Sequence, residues 1–139
     1  MSSYSEKLMS VSNILRAISD DKSIVLFNTI ALASGDSDIL ISSLKLTRKQ
    51  YYSRISVLIK AELVKRQNGK YFLTSFGKIV YDFQAKVGHA VTNYWKLKVI
   101  DSFEISAAID GVSKDEYNRI IDTLIGNQEI KKILIAKLC

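Results

Sequence analysis

The feature that most narrows the fold is Asn68-Gly69, an isolated turn pair in a chain that otherwise reads as helix. Leu63-Val64-Lys65-Arg66-Gln67 precedes it and Lys70-Tyr71-Phe72-Leu73 follows, two short runs with a strand-like period. A two-residue type I′ turn needs positive φ at both central positions, and Asn-Gly accepts this readily. One tight hairpin is therefore expected over 63–73. The rest of the chain lacks the commonest helix interrupter, since none of the 139 residues is proline. The 47% hydrophobic content suffices for one domain, or a small domain with a helical appendage, but not for two full cores. The expected class is mostly α with a small β-hairpin.

Helical periodicity accounts for most of what remains. Tyr4, Leu8, Val11, Leu15 and Ile18 recur at steps of four and three, predicting an amphipathic helix over 4–18. Asp20-Asp21 suits the start of a second helix, with Ile24, Val25, Phe27, Ile30, Ala31 and Leu32 as its apolar body and Ser34-Gly35 as its stop. Asp36-Ser37-Asp38 opens a short helix from Ile39 to about Lys45. A three-residue turn centred on Leu46 leads to Thr47, which caps a helix over 48–62. After the hairpin, Thr74-Ser75 caps a long helix with Phe76, Val80, Phe83, Val87, Val91 and Tyr94 on one stripe and Ile79, Trp95 and Leu97 beside it. It is expected to reach residue 100, with Gly88 as the weak point where a break would fall. Residues 101–112 show no clear period. Ser113 and Glu116 fit a capping box ahead of Tyr117, Ile120, Ile121, Leu124 and Ile125, and Ile130, Ile133, Leu134 and Leu138 mark a last helix.

Several function classes are excluded at this level. The longest apolar runs, Ile39-Leu40-Ile41 and Ile133-Leu134-Ile135, fall far short of the ~20 residues that cross a bilayer. Residues 1–7 show no basic flank followed by a hydrophobic stretch, so no secretory signal is expected. With Cys139 the single cysteine and His89 the single histidine, neither an intrachain disulfide nor a zinc cluster can be assembled. Asp36 and Asp38 read as helix caps rather than an acid–base pair, and no phosphate loop or nucleophile elbow occurs. A cytoplasmic protein is expected, with no cofactor, no metal, no membrane association and no enzymatic activity.

The net charge of +6 is unevenly placed. Residues 45–70 hold eight basic side chains against Glu62 alone, a net of +7, while 1–44 and 101–139 each net −2 and 71–100 net +3. Clustering of this kind points to a polyanionic partner more than to solubility.

The order helix, helix, short helix, turn, longer helix, hairpin, long helix is the plan of a winged helix-turn-helix. The stretch 38–80 resembles the winged helix-turn-helix regulators of the ArsR and MarR type, with its closest likeness to small archaeal members. The run LTRKQYYSRISVLIKAELVKRQNGKYFLTSFGK, residues 46–78, carries that likeness, and 101–139 share little of it. Leu73-Thr74-Ser75-Phe76-Gly77-Lys78 matches the Leu-Thr-x-x-Gly-Lys-like start of the helix after the wing. Ala61-Glu62-Leu63-Val64 departs from the pattern, because Glu62 stands where the family usually has Gly. The resemblance implies transcription regulation through double-stranded DNA, but not the metal switch of the ArsR type, for which the ligands are missing. The expected layout is an N-terminal helix over 1–19 suited to dimerisation, a DNA-binding domain over 20–80, and a long helix with a helical extension over 81–139, also suited to dimerisation.

On a 100° wheel, Tyr51, Tyr52, Ile55, Leu58 and Ile59 of the 48–62 helix gather on one side. Lys49, Gln50, Ser53, Val57 and Lys60 gather on the other, with Arg54 at the margin. Arg and Lys can pair with guanine and Gln with adenine in the major groove, and the N-terminal part of such a helix reaches deepest. Arg48, Lys49, Gln50, Ser53 and Arg54 are the base-reading or phosphate candidates. Lys60 is a phosphate contact or a solvated charge. Lys65, Arg66 and Lys70 flank the hairpin tip and suit a phosphate strand or the minor groove. Tyr51 and Tyr52 are expected in the core. The alternatives are a protein-interaction module and a small-molecule sensor, since fold does not dictate function. Apolar residues on the first helix and on the long helix, in excess of what one small core covers, predict a homodimer.

Overall fold

The structure, a computed structural model, describes residues 9–32, 37–110 and 113–136. In chain order its elements are α1 (Val11–Ala17), α2 (Asp21–Leu32), α3 (Ser37–Leu44), α4 (Arg48–Lys60), β1 (Val64–Gln67), β2 (Lys70–Leu73), α5 (Ser75–Thr92), α6 (Tyr94–Asp110), α7 (Lys114–Leu124) and α8 (Gln128–Ala136). The chain divides into two compact units, one ending at Asp82 and the other beginning at Phe83, so the boundary falls inside α5. The coarse class is mostly helical with one small antiparallel hairpin.

In the first unit, α1 begins later than the 4–18 periodicity predicts. Ser10 is extended (φ −73°, ψ 149°) and its hydroxyl accepts the Asn13 N–H, which caps a helix starting at Val11. Tyr4 and Leu8 lie outside the described residues. The buried face is Ile14, Ala17 and Ile18, whereas Val11 and Leu15 are exposed. Both stripes converge on Ile18, so spacing alone does not choose between them. Because Ile14, Ala17 and Ile18 join the core of the first unit, α1 is part of that unit.

Asp20 caps α2, its Oδ1 accepting from the backbone N–H of Lys22 at 3.0 Å and of Ser23 at 3.2 Å. The expected stop at Ser34-Gly35 and the expected cap Asp36 lie outside the described residues, and α3 begins at Ser37 rather than Ile39. Both α3 and α4 end in a Schellman motif. Leu46 N–H donates to Ile41 O and Lys45 N–H to Ser42 O, with Lys45 left-handed at φ 54°. Leu63 N–H donates to Leu58 O and Glu62 N–H to Ile59 O, with Glu62 left-handed at φ 64°. The second motif closes α4 at Lys60, earlier than expected. The position needs positive φ, which glycine takes freely, and Glu62 adopts it despite its Cβ.

The hairpin has the expected form. Asn68 and Gly69 take φ values of 54° and 75°, and the register pairs Val64 with Leu73, Lys65 with Phe72, Arg66 with Tyr71 and Gln67 with Lys70. Val64, Tyr71 and Leu73 are buried, and Tyr71 meets the Tyr51 ring of α4 edge-on at 6.4 Å. A clamp ties the hairpin base to α5. The Thr74 hydroxyl donates to Glu62 O at 2.5 Å and accepts the Gly77 N–H at 2.8 Å, while Thr74 N–H donates to Leu63 O at 3.1 Å. A Cβ on Gly77 would lie 2.0 Å from that same Leu63 oxygen. The Leu-Thr-x-x-Gly motif is thus a buried Leu73, a cap and a glycine forced by close approach.

In the second unit, α5 passes Gly88 without interruption, and the break comes instead at Asn93. The side chains of Thr92 and Asn93 donate to the carbonyls of Gly88 and His89, at 3.1 and 2.8 Å. Such back-bonding competes with the helical ladder and bends it locally. α6 then continues to Asp110, through residues that show no clear period in sequence. Ser113 caps α7 as expected, accepting the Glu116 N–H, and Asn127 caps α8 through Glu129 N–H and Ile130 N–H. The core is Ile100, Tyr117, Ile121, Ile125 and Ile130, with Phe103 stacked on Tyr117. Burial and the neighbouring Glu104, which accepts the Tyr117 hydroxyl, push that phenol above its ordinary range. No helix among the described residues is long and apolar enough to cross a membrane.

Candidate nucleic-acid interface

Thr47 determines how α4 starts. Its hydroxyl accepts the Gln50 N–H at 3.1 Å, and Gln50 Oε1 accepts the Thr47 N–H at 3.1 Å, a reciprocal capping box. Tyr51, Ile55 and Leu58 are buried and orient the helix. Opposite them the wheel sets Lys49, Ser53 and Lys60, all exposed, with Ser56 and Val57 alongside. Arg48 is also exposed at the first turn.

The other two candidates on α4 are engaged inside the protein. The Gln50 carbonyl belongs to the capping box, so bidentate adenine recognition would require it to leave the cap. Arg54 pairs with Asp20, Nη2 and Nε lying 3.1 and 3.2 Å from Oδ2, and its Nη1 donates to Gln50 O at 3.4 Å. The Arg54 hydrogen bond holds the Asp20 carboxyl below its ordinary 3.8; desolvation opposes it, and the Ser23 backbone N–H, the Arg54 charge and the Lys22 backbone N–H reinforce it. Arg54 therefore fastens α4 to the start of α2. Sequence spacing gives no warning of this, because the partners are 34 residues apart.

Tyr52 corrects the expected core. Tyr52 is 47% exposed and meets Tyr51 edge-on at 5.1 Å, while Ile59 is also exposed. Both sit on the flank of the buried arc centred on Tyr51, Ile55 and Leu58. The Tyr52 hydroxyl thus joins the outward surface. On the hairpin, Lys65, Arg66, Gln67 and Lys70 are exposed. Register puts Lys65, Gln67, Lys70 and Phe72 on one face and Arg66 on the other, with Tyr71. None of Lys49, Lys60, Lys65, Arg66 and Lys70 forms an ion pair with a described residue.

Among the described residues, no group of three or more His, Cys, Asp or Glu side chains could hold a metal ion. Cys139 lies outside the described residues. Comparison with family models, curated proteins and solved structures gave no match for this chain.

Proposed function

We propose that residues 20–80 form a winged helix-turn-helix that binds double-stranded DNA, and that the protein regulates transcription as a homodimer. In this reading α3, the Lys45-Leu46 turn and α4 make up the helix-turn-helix, α4 enters the major groove, and the β1–β2 hairpin is the wing. The observation that carries it is the set of cations with no ion-pair partner among the described residues: Lys49 and Lys60 on the outward face of α4, and Lys65, Arg66 and Lys70 on the hairpin. Five such charges on two adjacent elements match a polyphosphate better than any described acidic group of the protein. Lys49 and Ser53, with Arg48 beside them, take over the base-reading role, because Gln50 and Arg54 already act as cap and fastener. The dimer is supported by the exposed apolar row of the second unit.

The test is a mobility-shift titration with preferred and random duplex across a tenfold salt range. Affinity should fall by about 0.9 log units per log unit of salt for each phosphate contacted. Lys65→Ala, Arg66→Ala and Lys70→Ala should weaken both duplexes together, and Lys49→Ala the preferred one more. No binding at low salt, or binding flat with salt, sinks the DNA reading in favour of a protein-interaction module.

A further inference from the structure

Val57 stands apart from the other side chains on the outward face of α4. Lys49, Ser53, Ser56 and Lys60 around it are charged or hydroxylic, whereas Val57 is apolar and 46% exposed. The other exposed apolar residues of the helix, Tyr52 and Ile59, lie on the flank where the buried arc ends. Val57 does not share that position. Of the buried residues Tyr51, Ile55 and Leu58, the nearest is Leu58, about 100° away around the helix. Core packing therefore does not account for a valine here. Helix formation does not call for one either, since a β-branched residue is a poorer helix former than Ala, Lys or Glu. Lys49, Ser53 and Val57 follow one another at steps of four, a row about 12 Å long at 1.5 Å per residue, and Lys60 lies beyond its far end.

We propose that Val57 reads the C5 methyl group of a thymine. The inference rests on the proposed function, in which α4 lies in the major groove. The base edges there are hydrogen-bonding groups, and the one apolar projection among them is the thymine methyl. A valine pressed onto a guanine, adenine or cytosine edge takes a donor or acceptor from water and returns nothing. Against thymine it buries two apolar groups together. Val57 sits between Ser53 and the phosphate-seeking Lys60, so it falls inside the footprint rather than past its end. Wherever an α4 helix is seated, one T·A pair is thus selected by apolar contact, beside whatever Lys49 and Ser53 select by hydrogen bonding.

The experiment uses the full chain and a preferred duplex selected from a random pool, at one fixed salt concentration. Each thymine is replaced in turn by deoxyuridine, which removes the methyl and keeps every hydrogen-bonding group of the pair. For the wild type, at least one replacement should weaken binding about fourfold, the effect of one buried carbon. Loss of a methyl also alters the stacking of the duplex, so the variants decide the cause. Val57→Ala, without losing stability to urea, should bind thymine and deoxyuridine equally at that position. Lys65→Ala on the hairpin should weaken both duplexes and keep the preference. The contact is overturned if no thymine methyl matters to the wild type, if the preference survives in Val57→Ala, or if Lys65→Ala also abolishes it. A folded Val57→Ala chain that binds neither duplex overturns it as well. In each of these cases wild-type DNA binding stands, whereas a wild type that binds no duplex overturns the proposed function and the thymine contact with it.

Discussion

Two residues hold backbone conformations that their side chains disfavour. Glu62 and Lys45 each close a helix at positive φ, and a left-handed residue with a Cβ costs about 1–2 kcal/mol relative to glycine's freedom there. Glu62→Gly is expected to raise unfolding stability by about 1 kcal/mol in urea, part of the gain being offset by glycine's greater unfolded-state entropy. A loss of stability would mean that the Glu62 side chain makes a contact worth more than the strain. Gly77 is the converse case. An added methyl collides with the Leu63 backbone rather than with a movable side chain. Gly77→Ala should therefore cost more than about 3 kcal/mol, by forcing apart the hairpin base and the first turn of α5. Thr74→Val should cost about 1–2 kcal/mol through loss of the cap and of the hydroxyl's bond to Glu62 O. A Gly77→Ala variant no less stable than Thr74→Val would show that the close approach relaxes.

Between elements, the Arg54–Asp20 pair fastens α4 to α2, and its pH dependence follows from the sign of the Asp20 shift. A carboxyl held below its ordinary 3.8 contributes stability above that value and loses it as pH falls through the lower folded value. Wild type and Asp20→Asn should thus differ in unfolding midpoint at neutral pH and converge below pH 3.8; a difference that persists in acid would place its origin elsewhere. Because the Arg54 charge is already compensated, Arg54→Ala should leave the salt slope of DNA binding unchanged, whereas Lys49→Ala lowers it by about 0.9. Local chemistry was legible in sequence wherever it is short-ranged: the Asn68-Gly69 turn, the Thr47 and Ser113 caps, and the basic window. What escaped is long-ranged or degenerate. The Arg54–Asp20 pair joins distant residues, α1 offers two stripes through Ile18, and Asn93 breaks a helix that Gly88 leaves intact. Tyr52 reads as core and is exposed because a wheel gives direction but not the width of the covered arc.

At the scale of the whole molecule, the second unit carries an apolar row that its own core leaves uncovered. Phe83, Val87, Val91, Trp95 and Val99 recur every four residues, all are about half exposed or more, and Trp95 reaches 77%. A contiguous exposed apolar row of this kind is a feature that marks protein–protein contact surfaces. A row spaced by four is one of the ridges by which helices interdigitate, and two copies of it pack with a crossing angle of about −50°. A twofold dimer carries two copies of α4, so on the proposed function the preferred site should be an inverted repeat. Light scattering at micromolar concentration should give the mass of two chains. Val91→Asp with Trp95→Asp should reduce it to one and roughly halve the salt slope, since each chain would then contact a single half-site. The Gly69 amide shift should remain, because the hairpin belongs to the first unit. A wild-type mass of one chain removes the dimer, and a double variant that still weighs two moves the interface off this row, with the exposed Val11 and Leu15 of α1 the next surface to test.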